Sequence, residues 1–121
     1  MTDGDAPDLA AVEAARQRIR ATAVRTPLRR SEALSRHLGG PAFLKLETIQ
    51  HTGAFKLRGA ANAVLSLPPA LRARGVVTYS TGNHGRALAY VARQHGARCV
   101  VCLSDLVPEG KRARLGAPAD L

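Results

Sequence analysis

One lysine stands out among the residues that could do chemistry. It lies in the stretch Gln-His-Thr-Gly-Ala-Phe-Lys-Leu-Arg-Gly-Ala at positions 50–60. Lysine is scarce in this chain, because only Lys45, Lys56 and Lys111 carry an ammonium group among 18 basic residues. A guanidinium stays charged at any working pH, whereas a partly buried lysine can lose its proton and attack a carbonyl carbon. Lys56 lies between two apolar residues after a Thr-Gly break, which predicts a lysine at the start of a buried helix. The alternative is a lysine whose stem covers an amphipathic helix while its ammonium group stays in water.

A second stretch, Ser-Thr-Gly-Asn-His-Gly at positions 80–85, has the composition of an anion-binding turn. It follows the apolar run 76–79 and precedes a helix that we predict over 86–95. Backbone N–H groups converge where a strand passes through a small turn into a helix, and the helix dipole there favours a carboxylate or phosphate. Gly82 and Gly85 would let the backbone approach a ligand, although such turns also carry glycine for geometry alone.

Together the two stretches resemble the threonine and serine dehydratases. These are pyridoxal-phosphate enzymes built on the tryptophan-synthase β-subunit fold, a group that also contains serine racemase. The resemblance rests on Gln-x-Thr-Gly-x-Phe-Lys-x-Arg-Gly-Ala followed by Ser-x-Gly-Asn-His-Gly, and it extends from about residue 26 to residue 109. It implies an α/β fold with a three-layer parallel sheet, of which this chain would hold the N-terminal third. Residues 1–75 would begin the larger cofactor-binding domain, and residues 76–121 the smaller α/β domain.

The resemblance also implies roles for individual residues. Lys56 would attach covalently to pyridoxal 5′-phosphate and later act as the base that removes the substrate α-proton. Phe55 would pack near the cofactor ring, and Asn83 would hydrogen-bond the 3′-oxygen of that ring. Thr81 would assist with its hydroxyl. The backbone amides that would hold the substrate carboxylate belong to Ser80, Thr81, Gly82, Asn83 and His84.

Read from the residues alone, some of these positions have plainer explanations. Asn83 is also suited to cap the helix that follows it, and His84 is expected to make a structural hydrogen bond. Arg58 is expected to form a structural ion pair.

Two positions depart from the family pattern, since Ala54 replaces a serine common beside the Phe-Lys pair, and Thr81 replaces the serine of serine racemases. The second change favours elimination over racemisation.

The substrate that the resemblance implies is a β-hydroxy amino acid or a related compound. The product of such a dehydratase would be a 2-oxo acid and ammonia. The sequence Ser-Thr-Gly-Asn-His-Gly-Arg-Ala-Leu-Ala, with Cys-Leu-Ser-x-Leu-Val-Pro-Glu after it, is most similar to the hydroxyectoine-utilisation dehydratases. The glycine-rich loop that holds the cofactor phosphate in the family is not found in this sequence. A catalytically inactive fragment of such an enzyme therefore remains an alternative.

Composition restricts the other functional classes. The chain has 121 residues, of which 45% are hydrophobic, enough for one modest core. A formal charge of +9 invites a nucleic-acid interpretation, but aromatic residues make up only 3% and the arginines are scattered. We therefore expect no nucleic-acid partner, and we interpret the arginines of the first helix as a solvated basic face. No apolar run is long enough to span a membrane and the N-terminus does not resemble a secretory signal, so a cytoplasmic location is expected. The resemblance implies that the full-length relatives are homo-oligomers.

Two cysteines have the spacing of a metal or redox site. Cys99 and Cys102 form a Cys-x-x-Cys pattern within Arg-Cys-Val-Val-Cys-Leu, which reads as a buried strand. Residues three apart on a strand point to opposite faces, so the two thiols are not expected to share a ligand. The four histidines show no metal-ligand spacing. We predict no metal site and assign both cysteines to core packing.

The remaining pattern predicts alternating helices and strands. The first helix should bury a stripe made of Leu9, Val12, Ala15, Ile19 and Ala23. A short helix should begin after Ser31, and the Lys56 helix should end near residue 67 before Pro68-Pro69. Strands are expected at 42–47, 76–80 and 98–104. This alternation is typical of an α/β protein with parallel strand pairing.

Overall fold

Helices and strands alternate along the chain, as the sequence predicts. The structure, a computed structural model, describes residues 6–116. Its helices are α1 (Leu9–Ile19), α2 (Glu32–Leu38), α3 (Lys56–Ser66), α4 (Pro69–Ala73), α5 (Asn83–Gln94) and α6 (Glu109–Gly116). Its strands are β1 (Leu28–Arg30), β2 (Phe43–Lys45), β3 (Val76–Tyr79) and β4 (Cys99–Cys102), and a 3-10 turn spans Glu47–Ile49.

The strands form two separate pairs, one parallel and one antiparallel. β3 and β4 pair in parallel, with Val76 opposite Cys99, and α5 connects them as the crossover helix. β1 and β2 pair antiparallel, with Leu28 opposite Lys45. The parallel α/β unit confirms the predicted fold class. The β1 strand was not predicted, because three residues with exposed side chains carry no alternating pattern.

The core lies between two helices. α3 packs against α5, and α1 contributes only its last residue, Ile19, to this cluster. The fully buried side chains at its centre include Leu57, Val64 and Val91. The predicted stripe on α1 is therefore wrong over its first turns, since Leu9 is 74% exposed and Val12 52% exposed.

Helix boundaries follow local capping chemistry. The carboxylate of Asp8 accepts a hydrogen bond from the Ala11 amide at 2.7 Å and starts α1. The hydroxyl of Ser31 accepts from the Leu34 amide at 3.3 Å and starts α2. α5 begins at Asn83, three residues before the predicted start at residue 86, and Gly82 occupies its N-cap position.

The β3–β4 pair is covered on one face only. Its side chains alternate between partly buried and exposed, with the inner face turned toward α5. Val77 and Tyr79 on the outer face are each 70% exposed. Cys99 lies on the inner side and Cys102 is exposed, and both thiols are free. The prediction of opposite faces is confirmed, but the assignment of Cys102 to the core is wrong, because only one face of this pair is packed.

The described residues contain neither a membrane-spanning helix nor a cluster of metal ligands. Within residues 6–116, no helix combines the length and the apolar character needed to cross a membrane. The same residues contain no group of three histidine, cysteine or acidic side chains arranged to hold a metal ion.

Candidate functional site

The loop before α3 is held by a buried glutamine. Gln50 is only 2% exposed, and its side-chain amide bonds both polar groups of Val24. Its carbonyl oxygen accepts from the Val24 N–H at 2.8 Å, and its NH₂ group donates to the Val24 carbonyl at 3.0 Å. Gly53 then turns the chain with a φ of 68°, a left-handed conformation that favours glycine. The Gln and the Gly of the first motif therefore fix the position at which α3 begins.

A partly buried ion pair connects α3 to the 3-10 turn before it. Nε and Nη2 of Arg58 donate to the two carboxylate oxygens of Glu47 at 3.0 and 2.7 Å, a bidentate geometry. The Thr26 hydroxyl donates to Glu47 at 2.5 Å, and Arg58 Nη2 also reaches the Val24 carbonyl at 2.9 Å. Hydrogen bonding from Arg58 lowers the pKa of Glu47 from 4.5 to about 2. The predicted structural role of Arg58 is confirmed.

Lys56 is the first residue of α3 and points into a cleft. Its ammonium nitrogen lies 5.1 Å from the centroid of the Phe55 ring, a cation–π contact. Both side chains are exposed, and Phe55 retains 61% of its surface. Lys56 therefore begins a buried helix as predicted, whereas its own side chain is exposed as in the alternative, because the buried face of α3 starts one residue later, at Leu57.

Lys45 reaches the same cleft but differs in its bonding. Its ammonium group donates a hydrogen bond to the Thr26 carbonyl. Lys56, in contrast, donates to no acceptor among the described residues and contacts only a ring face. Of these two amines, that of Lys56 is the one free to react.

The second motif forms the turn from β3 into α5. The Ser80 hydroxyl accepts a hydrogen bond from the Gly85 amide at 2.9 Å and a longer one from the Gly82 amide at 3.4 Å. The Ser80 amide itself donates to the Cys102 carbonyl at 3.3 Å, across the parallel pair. Ser80 therefore caps α5 with its side chain. Asn83, which is suited to that role by residue type, makes no capping bond.

Three backbone amides at this turn have no protein acceptor. In the described part of the chain, the N–H groups of Thr81, Asn83 and His84 make no hydrogen bond. They lie at the positive end of a helix of 12 residues. A Cβ added at Gly82 would meet no atom within 4 Å, so the space above the turn is open. The turn therefore has the donors and the room to accept a small anion.

The two motifs meet in one cleft. A cavity of about 470 Å³ is lined by residues that include Phe55, Lys56 and His84. The His51 ring stacks on the Tyr90 ring at a centroid distance of 5.4 Å and joins the first motif to α5. His84 is exposed and makes no side-chain hydrogen bond within residues 6–116, so the predicted structural bond is not found. Thr81 and Asn83 lie at the same turn and are exposed, but they do not line this cavity.

Sequence reasoning missed two residues of this cleft. Lys45 and Glu47 line it beside the Lys56 side chain. Both lie in or just after β2, and nothing in their spacing relates them to the motif at 50–60. The sequence contained one indication of an acidic residue nearby, because Arg58 was predicted to form an ion pair and therefore required an acidic partner.

Ser80→Ala is expected to lower the free energy of unfolding by about 1 kcal/mol, the usual cost of a lost helix cap. The Gly85 amide would lose its acceptor, so its hydrogen exchange should become faster. The urea concentration at the midpoint of unfolding should also fall. Ser66→Ala is a matched control, because the Ser66 hydroxyl only donates to the Ala63 carbonyl at 3.0 Å at the end of α3. Equal losses in the two variants would contradict a capping role for Ser80.

Comparison with known proteins agrees with this arrangement. Residues 19–118 match the family described as pyridoxal-phosphate dependent enzyme. The chain is 55% identical over 103 residues to a protein named putative threonine dehydratase from Sinorhizobium fredii, covering 85% of this chain and 31% of that protein. It is 43% identical over 99 residues to the β-hydroxyaspartate dehydratase of Paracoccus denitrificans, covering 82% of this chain and 31% of that one.

Solved structures show the same similarity. Maize serine racemase superposes with a TM-score of 0.83 at 34% identity, over 91% of this chain and 33% of the racemase. The processed form of threonine deaminase isoform 2 from Solanum lycopersicum gives a TM-score of 0.73 at 28% identity, over 90% of this chain and 31% of the deaminase. The chain thus spans about a third of the length of the relatives that it matches. It belongs to the family of pyridoxal-phosphate-dependent enzymes.

Proposed function

We propose that this chain forms the lysine-bearing part of a pyridoxal-phosphate-dependent dehydratase. The enzyme would convert a β-hydroxy amino acid to a 2-oxo acid and ammonia. The observation that carries the proposal is the cleft that places the free amine of Lys56 beside His84, at the turn with unpaired amides. The dehydratase names of two similar proteins support the reaction class.

The residues present fit the cofactor. The Phe55 ring offers a flat apolar surface next to the Lys56 amine, and the cleft of about 470 Å³ falls within the usual range for small-ligand sites. Lys56 would hold the cofactor, Phe55 would pack near its ring and Asn83 would donate a hydrogen bond to its 3′-oxygen. Pyridoxal phosphate, when bound, supplies the electron sink that the reaction requires.

The protein groups would then bind and move protons. The free amides of Thr81, Asn83 and His84 would hold the substrate carboxylate, with Gly82 leaving room and Ser80 supporting the turn. The Ser80 amide is already bonded to Cys102, so its contribution would come through the cap that orders the other donors. The Lys56 amine would take the α-proton at Nζ, and the Thr81 hydroxyl would assist proton transfer.

Finer features belong to the same proposal. The substrate would be a threonine-like compound, with a hydroxyectoine breakdown product as the specific candidate on the similarity of residues 80–89 and 102–109. Residues 1–75 and 76–121 would begin the larger and smaller domains of a cytoplasmic homo-oligomer. A catalytically inactive fragment is the second candidate, because the chain spans only about a third of the related enzymes.

The experiment is covalent trapping. The purified chain is incubated with pyridoxal phosphate, reduced with borohydride and digested, and each lysine is quantified by mass spectrometry in buffer and again in urea. We expect Lys56 to be labelled in preference to Lys45 in buffer, and the preference to vanish in urea. Equal labelling of the lysines in buffer would contradict the proposal and leave the inactive fragment.

A further inference from the structure

A second cavity, larger than the Lys56 cleft, lies between α1 and α3. Its volume is about 760 Å³. The wall formed by α1 includes Val12, Ala15 and Ile19, and the opposite wall includes Gly59 of α3. The core cluster involves only the last residue of α1, and Leu9 and Val12 nearer its start are more than half exposed.

The charged side chains around this cavity are all basic. They are Arg16, Arg20, Arg25, Lys45 and Arg58. No acidic residue lines the cavity. Arg58 is paired with Glu47, whereas Arg16, Arg20 and Arg25 form no ion pair within residues 6–116. Glu13 is three residues from Arg16 on α1, but it makes no ion pair with it and lies outside the cavity wall.

This arrangement gathers positive charge without a counter-charge. Arg16 lies in the last turn of α1 and Arg20 at its C-cap, so two like charges are one turn apart. A concave surface that carries one sign of charge concentrates its potential inside the cavity. Arg16 and Arg20 are exposed, in agreement with the predicted solvated basic face, and they line the same cavity as Arg25 and Lys45. Such a cavity is suited to an anion.

The shape of the cavity selects the kind of anion. A volume of about 760 Å³ is typical of a site for a small molecule. A guanidinium group binds carboxylate or phosphate oxygens through two parallel hydrogen bonds. A cavity with several guanidinium groups therefore favours a ligand that carries several negative charges. The chain has few aromatic residues for base stacking, which disfavours a nucleic-acid ligand.

We propose that the cavity between α1 and α3 is a binding site for a small multivalent oxyanion, a polyphosphate or a polycarboxylate. Arg16, Arg20 and Arg25 supply the main contacts, and Lys45 and Arg58 add positive charge to the same lining. The site is separate from the proposed reaction centre, although the two cavities share Lys45, Arg58 and Gly59. An anion bound here therefore touches the ion pair that braces α3.

The test is isothermal titration of the full 121-residue chain with tripolyphosphate and, separately, with citrate at constant ionic strength. The double variant Arg16→Gln/Arg20→Gln removes two charges from the cavity. Arg36→Gln/Arg74→Gln removes two charges from exposed positions that do not line it. We expect the first variant to bind about tenfold or more weakly, as two lost charge-assisted contacts imply, and the control to change less than about twofold. The tighter of the two anions identifies the ligand as phosphate-like or carboxylate-like.

Three outcomes would overturn the proposal. Equal weakening by both double variants would show general attraction to a basic protein. Absence of binding by both small anions, with binding of poly-L-glutamate, would identify a surface for an acidic polypeptide instead. Competition between tripolyphosphate and pyridoxal phosphate that persists in Lys56→Ala would show that the cavity is the cofactor phosphate site. Failure of cofactor trapping at Lys56 would leave this proposal unaffected, so the two ideas are tested separately.

Discussion

Replacing Lys56 with arginine is expected to lower borohydride-trapped pyridoxal phosphate on the chain by about tenfold or more, because a guanidinium keeps the charge but does not react with the aldehyde. The cation–π contact with Phe55 can persist in this variant, so the fold should be retained. The measurement is the amount of cofactor attached per chain after reduction, together with the far-UV circular dichroism spectrum.

Lys45→Arg is the matched control for this prediction. Lys45 lines the same cleft, but its ammonium group is bonded to the Thr26 carbonyl. Trapping should therefore change little when Lys45 is replaced. If both variants lost label to the same extent, the reaction would reflect exposed lysines in general. If only Lys45→Arg lost it, the assignment of the reactive amine would have to move to Lys45.

Glu47→Gln is expected to destabilise the chain by about 2–4 kcal/mol, since it leaves the Arg58 guanidinium partly buried and without its counter-charge. Glu47 is bonded by Arg58, Thr26 and Gln50, so one substitution weakens the whole connection between residues 24–26, the 3-10 turn and α3. Urea unfolding at neutral pH measures the loss. Glu32→Gln is the control, because Glu32 pairs with Arg30 on the surface, where both side chains are more than half exposed.

The same carboxylate makes the stability depend on pH. Arg58 lowers the pKa of Glu47 in the folded chain from 4.5 to about 2. A depressed folded-state pKa contributes stability that is complete above the unfolded value and is lost as pH falls toward the folded one. The unfolding free energy should therefore fall between about pH 4.5 and pH 2, and Glu47→Gln should flatten this part of the curve. An unchanged acid limb in the variant would show that other carboxylates govern acid unfolding.

The ion pair and the proposed anion site are connected through Arg58. This side chain lines both cavities and holds Glu47 with two hydrogen bonds. Its neighbour in the sequence, Leu57, is fully buried in the core. The position of α3, and with it that of Lys56, is therefore set by the buried apolar face of the helix and by one partly buried polar network.

The sequence by itself determined where the local elements lie. Gly53 and the apolar residues after Lys56 predict the start of α3, and Pro68-Pro69 predicts its end. The strand–turn–helix order at residues 76–94 also follows from local pattern. These features depend on backbone conformation within a few residues, such as the positive φ of Gly53, and residue type reports that directly.

Only the tertiary structure decided which side chains meet. The pairing of β1 with β2, the contact of Glu47 with Arg58 and the difference between Lys45 and Lys56 all depend on segments far apart in the chain. The same is true of Arg16 and Arg20, which are exposed as the sequence predicts but share a cavity with Arg25 and Lys45 only because α1 packs on α3. The periodicity of apolar residues describes one helix or strand at a time. A site forms where several helices and strands come together, and their arrangement depends on which buried faces pack against each other.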